Sequence, residues 1–437
     1  MPNHREGRVS LWRYVRLFRR DILSAQPAHL YHALMAEFKT PFFSSYLIND
    51  PALVDQVLRE EGDAFPKSER QSVGLRALLG QSVFVTNGAQ WRAQRRIIDP
   101  AFEVARLAMI VPHIEAATAA MVTRIAAQDG PVNIEPVCSY AAADVIFRTL
   151  FSVPIEDEMA QSVYQAFQRY QAAQPLLNTG AFVGRRAWGL GRVARRSARE
   201  IRKIIGQMVE RRARQIADGD APDDVATRIM TTADPVTGQR FSKDEMLDQV
   251  AIFFLAGHET SAAALGWALY LATLDPEWQD QLAQDTHHLE AGRPPKATQI
   301  TAHFKETLRL YPPVPMMVRT VQAPQIFRKR SVNVGAQIVI SPWHLHRYDR
   351  IWQDPHHFDP KRFLTPETKE AQRKAYVPFS KGPRVCPGAH FAMTEGVVML
   401  AGVLKAYRVT AVGDPPIPMA HLTVRSRDGI HLTFEPR

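Results

Sequence analysis

The chain has 437 residues, 46% of them apolar, and a formal charge of +10. That length suits one large domain or two ordinary ones and allows a sizeable core. Two cysteines, Cys138 and Cys386, in so long a chain exclude a disulfide scaffold and point to a reducing compartment. The positive charge suits a membrane surface, an acidic protein or nucleic acid, and nucleic acid is disfavoured because no zinc-finger, RNP-type or basic-zipper pattern occurs.

In chain order, the first predicted element is a helix in "SLWRYVRLFRRDIL". Leu11, Val15, Phe18 and Ile22 share one face, and Arg13, Arg16, Arg19 and Arg20 lie off it. Two readings stand: a helix packed on the domain with its arginines in water, or one in peripheral contact with a membrane. "TPFFSSYLIND" reads as a strand and turn, after which Asp50 and Pro51 cap a helix over "ALVDQVLREEG". Helical periodicity dominates from about residue 100 to 310, with breaks at Gly130-Pro131, Gly180, Gly189 to Gly191 and Asp218 to Pro222. The basic stretch 184–199 reads either as a lid between helices or as a solvated loop. The longest apolar region, Val250 to Leu274, is interrupted by His258, Glu259 and Thr260, so it fails the test of about 18 consecutive apolar residues for a membrane span. Towards the end, "SVNVGAQIVIS" alternates and turns at Asn333 to Gly335, and "LTVRSRDGIHLTF" reads as a hairpin turning at Asp428-Gly429. With no repeat and no long linker, the expectation is a mainly α, single large helical domain over residues 1–437, with small β-sheets near the N- and C-terminal regions.

Cys386 stands out because it lies in a loop of turn residues, "PFSKGPRVCPGAHFA". A cysteine thiolate is a strong ligand for haem iron. Pro387 lacks an N–H, so backbone donors to sulfur come from Gly388 onward, where a helix N-terminus would favour a negative sulfur. Gly382 and Gly388 permit a tight path close to a flat cofactor. Arg384 is placed to reach a carboxylate, and Phe379 to cover the sulfur.

The segment "FSKGPRVCPG" resembles the haem-binding signature of the cytochrome P450 family, F-x-x-G-x-R-x-C-x-G, at every fixed position. The resemblance implies that Cys386 is the iron ligand, with Phe379, Arg384 and Gly388 around the haem. Other segments agree with it. "KETLRLYPPVP" places Glu306 and Arg309 at i, i+3 on one helix face. In the family this pair is buried and closed by an arginine from a later segment, here "FDPKRF", so Glu306, Arg309 and Arg362 acquire a structural role in holding the cysteine loop. "NGAQWRAQRR" is similar to the family's W-x-x-x-R, which makes Trp91 and Arg95 propionate ligands, joined by Arg319 in "PMMVRT" and by Arg384. "AGHET" resembles the family's acid–alcohol pair, giving Thr260 the task of handling oxygen and Glu259 that of relaying protons. Gly257 would ease a helix distortion there, and His258 would pack between helices.

The implied activity is that of a haem-thiolate monooxygenase using haem b (iron protoporphyrin IX) and O2. The substrate would be a hydrophobic small molecule: a fatty acid, terpenoid or aromatic. Leu75, Leu78, Phe254, Ala256, Met316, Met317 and Val318 are candidates for the pocket wall. No fused reductase is expected. Electrons would come from a separate ferredoxin or flavodoxin-type donor and its reductase, with NAD(P)H acting only indirectly. The Lys381 and Arg384 side would suit an acidic carrier. The lack of a membrane span resembles the soluble bacterial type, so a cytoplasmic monomer is expected, although "LRLYPPVP" and "FDPKRF" are closer to the microsomal subgroup. Two alternatives are a peroxide-driven peroxygenase and a non-catalytic haem-containing ligand sensor. The Glu259-Thr260 pair argues against both.

Overall fold

The computed structural model describes residues 4–7, 9–40, 42–60, 63–173, 192–295 and 298–437. Its helices of nine or more residues are α1 Leu11–Arg20, α2 Pro51–Arg59, α3 Gly88–Ile98, α4 Leu107–Ala126, α5 Ile134–Phe151 and α6 Glu158–Ala173. They continue as α7 Arg192–Asp218, α8 Lys243–Ala272, α9 Pro276–Asp285, α10 Gln299–Leu310 and α11 Ala389–Ala406. The strands are β1 Met35–Lys39, β2 Ser44–Ile48, β3 Val132–Asn133, β4 Met317–Thr320, β5 Gln325–Phe327 and β6 Arg330–Val332. After them come β7 Gln337–Ile340, β8 Tyr407–Ala411, β9 Pro418–Ala420, β10 Val424–Ser426 and β11 His431–Pro436. Of the stretch 184–199, residues 184–191 lie outside the described residues and 192–199 belong to α7.

The chain divides into two compact units. The first comprises Met1–Phe65, Leu107–Ala142 and Glu259–Arg437 and contains every strand named above. Its larger sheet has the order β1-β2-β7-β4, with β2 and β7 parallel and the other pairs antiparallel. Strand β2 leads into α2 as the sequence predicts: the Asp50 carboxylate accepts from the Ala52 N–H at 3.1 Å, and Pro51 fills the first turn. Helix α2 buries Leu53, Val54, Val57 and Leu58 against Ile48, Ile338 and Ile340 of the sheet. Each of these side chains contributes roughly 1.5–3 kcal/mol of transfer free energy. On the other side of the strand, Tyr14 of α1 packs on Phe38 of β1 at 4.7 Å between ring centroids, with the α1 arginines outward and Trp12 exposed.

The C-terminal strands pair differently from the sequence reading. No hairpin forms across Asp428-Gly429: β10 pairs with β9, and β11 pairs with β8 and β3. The Ser426 N–H is used by the Glu135 carboxylate at 2.9 Å, so β10 is diverted from β11. Likewise β6 and β7, on either side of the Asn333–Gly335 turn, belong to separate sheets. Alternation reports a strand and leaves its partner open. Helix α11 is the one described helix long and apolar enough to cross a membrane, and 56% of it is buried inside the protein. Leu400, Val403 and Leu404 make it a core helix.

The second unit comprises Pro66–Arg106 and Ala143–His258 and is helical. Ile201, Ile205, Met208 and Val209 form the buried stripe of α7. Phe254 of α8 contacts Phe147 and Phe167 at centroid distances of 5.0 and 4.3 Å and stacks on His258.

Candidate active site

The cysteine loop is held by its own backbone. The Cys386 N–H donates to the Phe379 carbonyl at 2.9 Å, and Gly382–Arg384 form a single 3-10 turn. Gly382 has φ +69° and sits against α2, where an added Cβ would lie 2.2 Å from the Leu58 carbonyl oxygen. Only glycine meets both conditions. Gly388 caps α11, and a Cβ there would lie 4.0 Å from the Cys386 sulfur, so the sulfur stands at the N-terminus of an 18-residue helix. That is a favourable place for negative charge. Cys386 is exposed. Cys138, by contrast, is fully buried, and burial first, then the Glu135 charge, pushes its thiol well above the ordinary range, so it is inert.

Behind the loop, Glu306 and Arg309 on α10 are both 0% exposed and form a two-pronged pair at 2.7 and 2.8 Å. Arg309 also donates to the carbonyls of His346, Pro355 and His357. Arg362 reaches Glu306 at 3.4 Å as an ion contact, and the Asp359 N–H donates to the same carboxylate. The three residues joined by spacing and resemblance are thus in contact. The sequence reading missed His346, which links this network to the loop. Its Nδ1 is 3.0 Å from the Arg309 carbonyl, and its Nε2 accepts from the Val377 N–H at 2.9 Å. Val377 needs an acceptor, so Nδ1 carries the proton, and burial pushes the imidazole down to about 3.

Strand β4 carries Arg319, buried at 6% exposure, opposite Ile338 of β7. Burial, and secondarily the charge of Arg384, lowers Arg319 to about 10. Among the described residues no carboxylate pairs with Arg319. A buried guanidinium with no carboxylate partner and a second cation acting on it requires anionic company. An accessible sulfur and this pair of cations fit a haem, which carries one iron and two carboxylates. Lys381, the other cation read as a carrier contact, is only 13% exposed and lies 3.2 Å from Asp55, which gives it a structural use.

In the second unit, α3 brings Trp91 and Arg95 together: Trp91 is buried, and the Arg95 guanidinium lies 5.9 Å from its ring centre. Arg95 also makes a 2.7 Å ion contact with Asp99, whose carboxyl burial pushes up despite that partner. Of the pocket candidates, Leu75, Leu78 and Phe254 are buried, Met316, Met317 and Val318 are half-buried, and Ala256 is exposed.

Helix α8 is unbroken through Gly257. The glycine serves close packing, since an added Cβ would lie 2.3 Å from Ile146 of α5. His258 is buried between Phe254 and Tyr164, as the sequence reading expects. In this mostly buried helix, Ala256 is exposed and Gly257 and Thr260 are half-buried, an accessible stripe at i, i+1 and i+4. Glu259 is buried, makes an ion contact with Arg425 at 2.8 Å and accepts from the Thr423 hydroxyl at 3.0 Å. Ser261 donates to Glu395 of α11 at 2.5 Å, and burial pushes Glu395 up to about 8. Neither Arg425 nor Glu395 was found by sequence reasoning. An acid within the apolar run "FAMTEGVVML" was the available signal for Glu395.

Comparison with known proteins gives a consistent result. The Cytochrome P450 family model matches residues 35–434. The chain is 30% identical to cyclooctat-9-en-7-ol 5-monooxygenase of Streptomyces melanosporofaciens, over 98% of this chain and 92% of that protein. It is 27% identical to cytochrome P450 4ae1 of Drosophila melanogaster, over 95% and 90%. Among solved structures, the cytochrome P450DA heme domain superposes with a TM-score of 0.80 at 21% identity, covering 92% of this chain and 90% of that one, which is a likeness of fold.

Proposed function

The chain belongs to the cytochrome P450 family of haem-using monooxygenases, and from that premise we propose that it inserts one atom of O2 into an apolar, carbon-rich small molecule, the other atom leaving as water. The haem supplies the oxygen chemistry, which a thiolate ligand favours by pushing electron density onto the iron. Cys386 is the ligand, and the loop pinned at Gly382 and Phe379 fixes its direction. Arg319 and Arg384 hold the carboxylates of the cofactor, a task that the family resemblance also gives to Trp91 and Arg95, and Phe379 and Gly388 shape the loop around the sulfur. Glu306, Arg309 and Arg362 keep the loop in place from behind.

Thr260 holds a proton at its hydroxyl on the accessible stripe of α8, and Glu259 supplies protons to it from the Arg425 side. Ala256, Met316, Met317 and Val318 are the pocket candidates with accessible surface, a small, apolar and adaptable set. The relative that acts on cyclooctat-9-en-7-ol supports a hydrophobic substrate of that general kind. Electrons come from a separate ferredoxin or flavodoxin-type protein, with NAD(P)H acting through its reductase, and the working form is a cytoplasmic monomer.

The observation that carries this reading is the exposed Cys386 on a glycine-pinned loop at the α11 N-terminus, in the same unit as the buried, carboxylate-free Arg319. The test is a spectral titration of the haem-loaded protein against terpenoids, fatty acids and aromatics, followed by product analysis with a surrogate electron donor. A saturable spin shift and a hydroxylated product support it. Binding without any oxygenated product contradicts it.

A further inference from the structure

Glu259 meets Arg425 in a setting with a second acid. Glu135, at the start of α5, accepts from the N–H of Ser426, the residue next to Arg425 on β10. It also packs on α8 two turns beyond Glu259, where a Cβ on Gly266 would lie 3.9 Å from its side chain. Arg425 makes its ion contact with Glu259, and Glu135 holds the backbone beside it from a second helix. Arg425 contacts Glu259 through Nη2, while its Nε is buried without a hydrogen-bond acceptor. A charged donor so placed gains from a second carboxylate.

The other groups acting on Glu135 are few. Burial raises its pKa, the Ser426 N–H and Arg425 lower it, the Glu259 charge raises it, and exposed His431 on β11 lowers it, the net being upward. Cys138, one turn on in α5, stays neutral. Glu135 thus feels Glu259 as a like charge and Arg425 as a shared counter-ion, and by reciprocity Glu259 feels Glu135.

We propose that Glu135 is a positioning residue for proton delivery: it competes with Glu259 for Arg425, so that the Glu259 carboxylate is released from its ion pair and can turn to Thr260. A carboxylate held at 2.8 Å by a guanidinium is directed away from its acceptor. Sharing the guanidinium loosens that hold without exposing Glu259 to bulk water. This inference rests on the reading of Glu259 as the proton donor.

Two measurements on the haem-loaded protein test it. Glu135→Gln keeps an oxygen for the Ser426 N–H but removes the competing charge. Turnover with a surrogate donor should fall severalfold and its solvent deuterium isotope effect should rise, and Glu135→Asp should restore most of both. Wild-type values in Glu135→Gln would overturn the competition alone, provided Glu259→Gln does change the isotope effect. An unchanged isotope effect in Glu259→Gln would overturn the proton-donor reading and this inference with it. The second measurement needs no turnover. The infrared carboxyl band that disappears in Glu135→Gln should titrate above the ordinary glutamate range and move down in Glu259→Gln. A band that does not move between the two backgrounds would refute the coupling.

Discussion

Glu306→Gln removes one charge from a pair that is 0% exposed on both sides. Arg309 keeps its bonds to the carbonyls of His346, Pro355 and His357, so its guanidinium stays hydrogen-bonded but loses its neutralising partner. Arg362 loses its nearer counter-charge as well and keeps only a 4.0 Å ion contact with Asp359. Breaking a buried pair by removing one member costs roughly 3–5 kcal/mol. With an unfolding entropy of about 2.1 cal/mol/K per residue, a chain of 437 residues loses about 1 °C of melting temperature for each ~0.9 kcal/mol, so the expected drop is roughly 3–5 °C. Because His346 connects Arg309 to Val377, the same change should loosen the cysteine loop, and haem content should fall with the melting temperature. The assay is a thermal melt of the haem-loaded protein beside haem quantification. A matched change at Glu290, which meets Arg293 in an exposed pair, serves as control and should leave both readings unchanged. A melting temperature within about 1 °C of wild type together with full haem content would refute the reasoning.

Four further outcomes follow from the same geometry. Gly382→Ala should sharply reduce haem content, because its Cβ meets the Leu58 carbonyl oxygen at 2.2 Å and its φ is +69°; normal loading would show that the loop is not pinned there. Thr260→Ala should retain haem but divert electrons to hydrogen peroxide, measured as peroxide per NAD(P)H consumed, and unchanged coupling would remove Thr260 from proton handling. Arg319→Leu should speed haem loss to apomyoglobin, and an unchanged transfer rate would contradict its carboxylate role. Burial lowers His344 and His346 to about 3 and His303 to about 4. The unfolded chain therefore takes up protons near pH 6.5 that the folded chain refuses. Stability should be full above about pH 6.5 and fall by several kcal/mol towards pH 3–4, as denaturant midpoints would show, and a flat profile over that window would contradict the neutral, buried imidazoles.

The parts of the site legible in the sequence are those whose partners are close along the chain. Glu306 and Arg309 are three residues apart on one helix face, so spacing places them in contact. Cys386 is marked by glycine and proline within a window of ten residues. Asp50 and Pro51 announce α2 by local capping chemistry. What the sequence hides is reached across the fold. Glu259 finds Thr423 at a separation of 164 residues, Ser261 finds Glu395 at 134, and His346 finds Val377 at 31. Each of these pairs joins polar groups that burial forces to find a partner, but the partner is chosen by which helix or strand packs alongside. Gly257 shows the same limit: sequence suggests a helix that bends, whereas the contact with Ile146 of α5 makes close packing the reason for the glycine.

The measurement that bears most directly on the whole account is the absorption spectrum of the reduced, carbon-monoxide-treated protein, taken with Cys386→Ser as its partner. Sulfur ligation by Cys386 predicts a long-wavelength Soret band in the native protein that is lost in the serine variant. A native protein without that band, or a serine variant that keeps it, would contradict the assignment of Cys386 as the iron ligand.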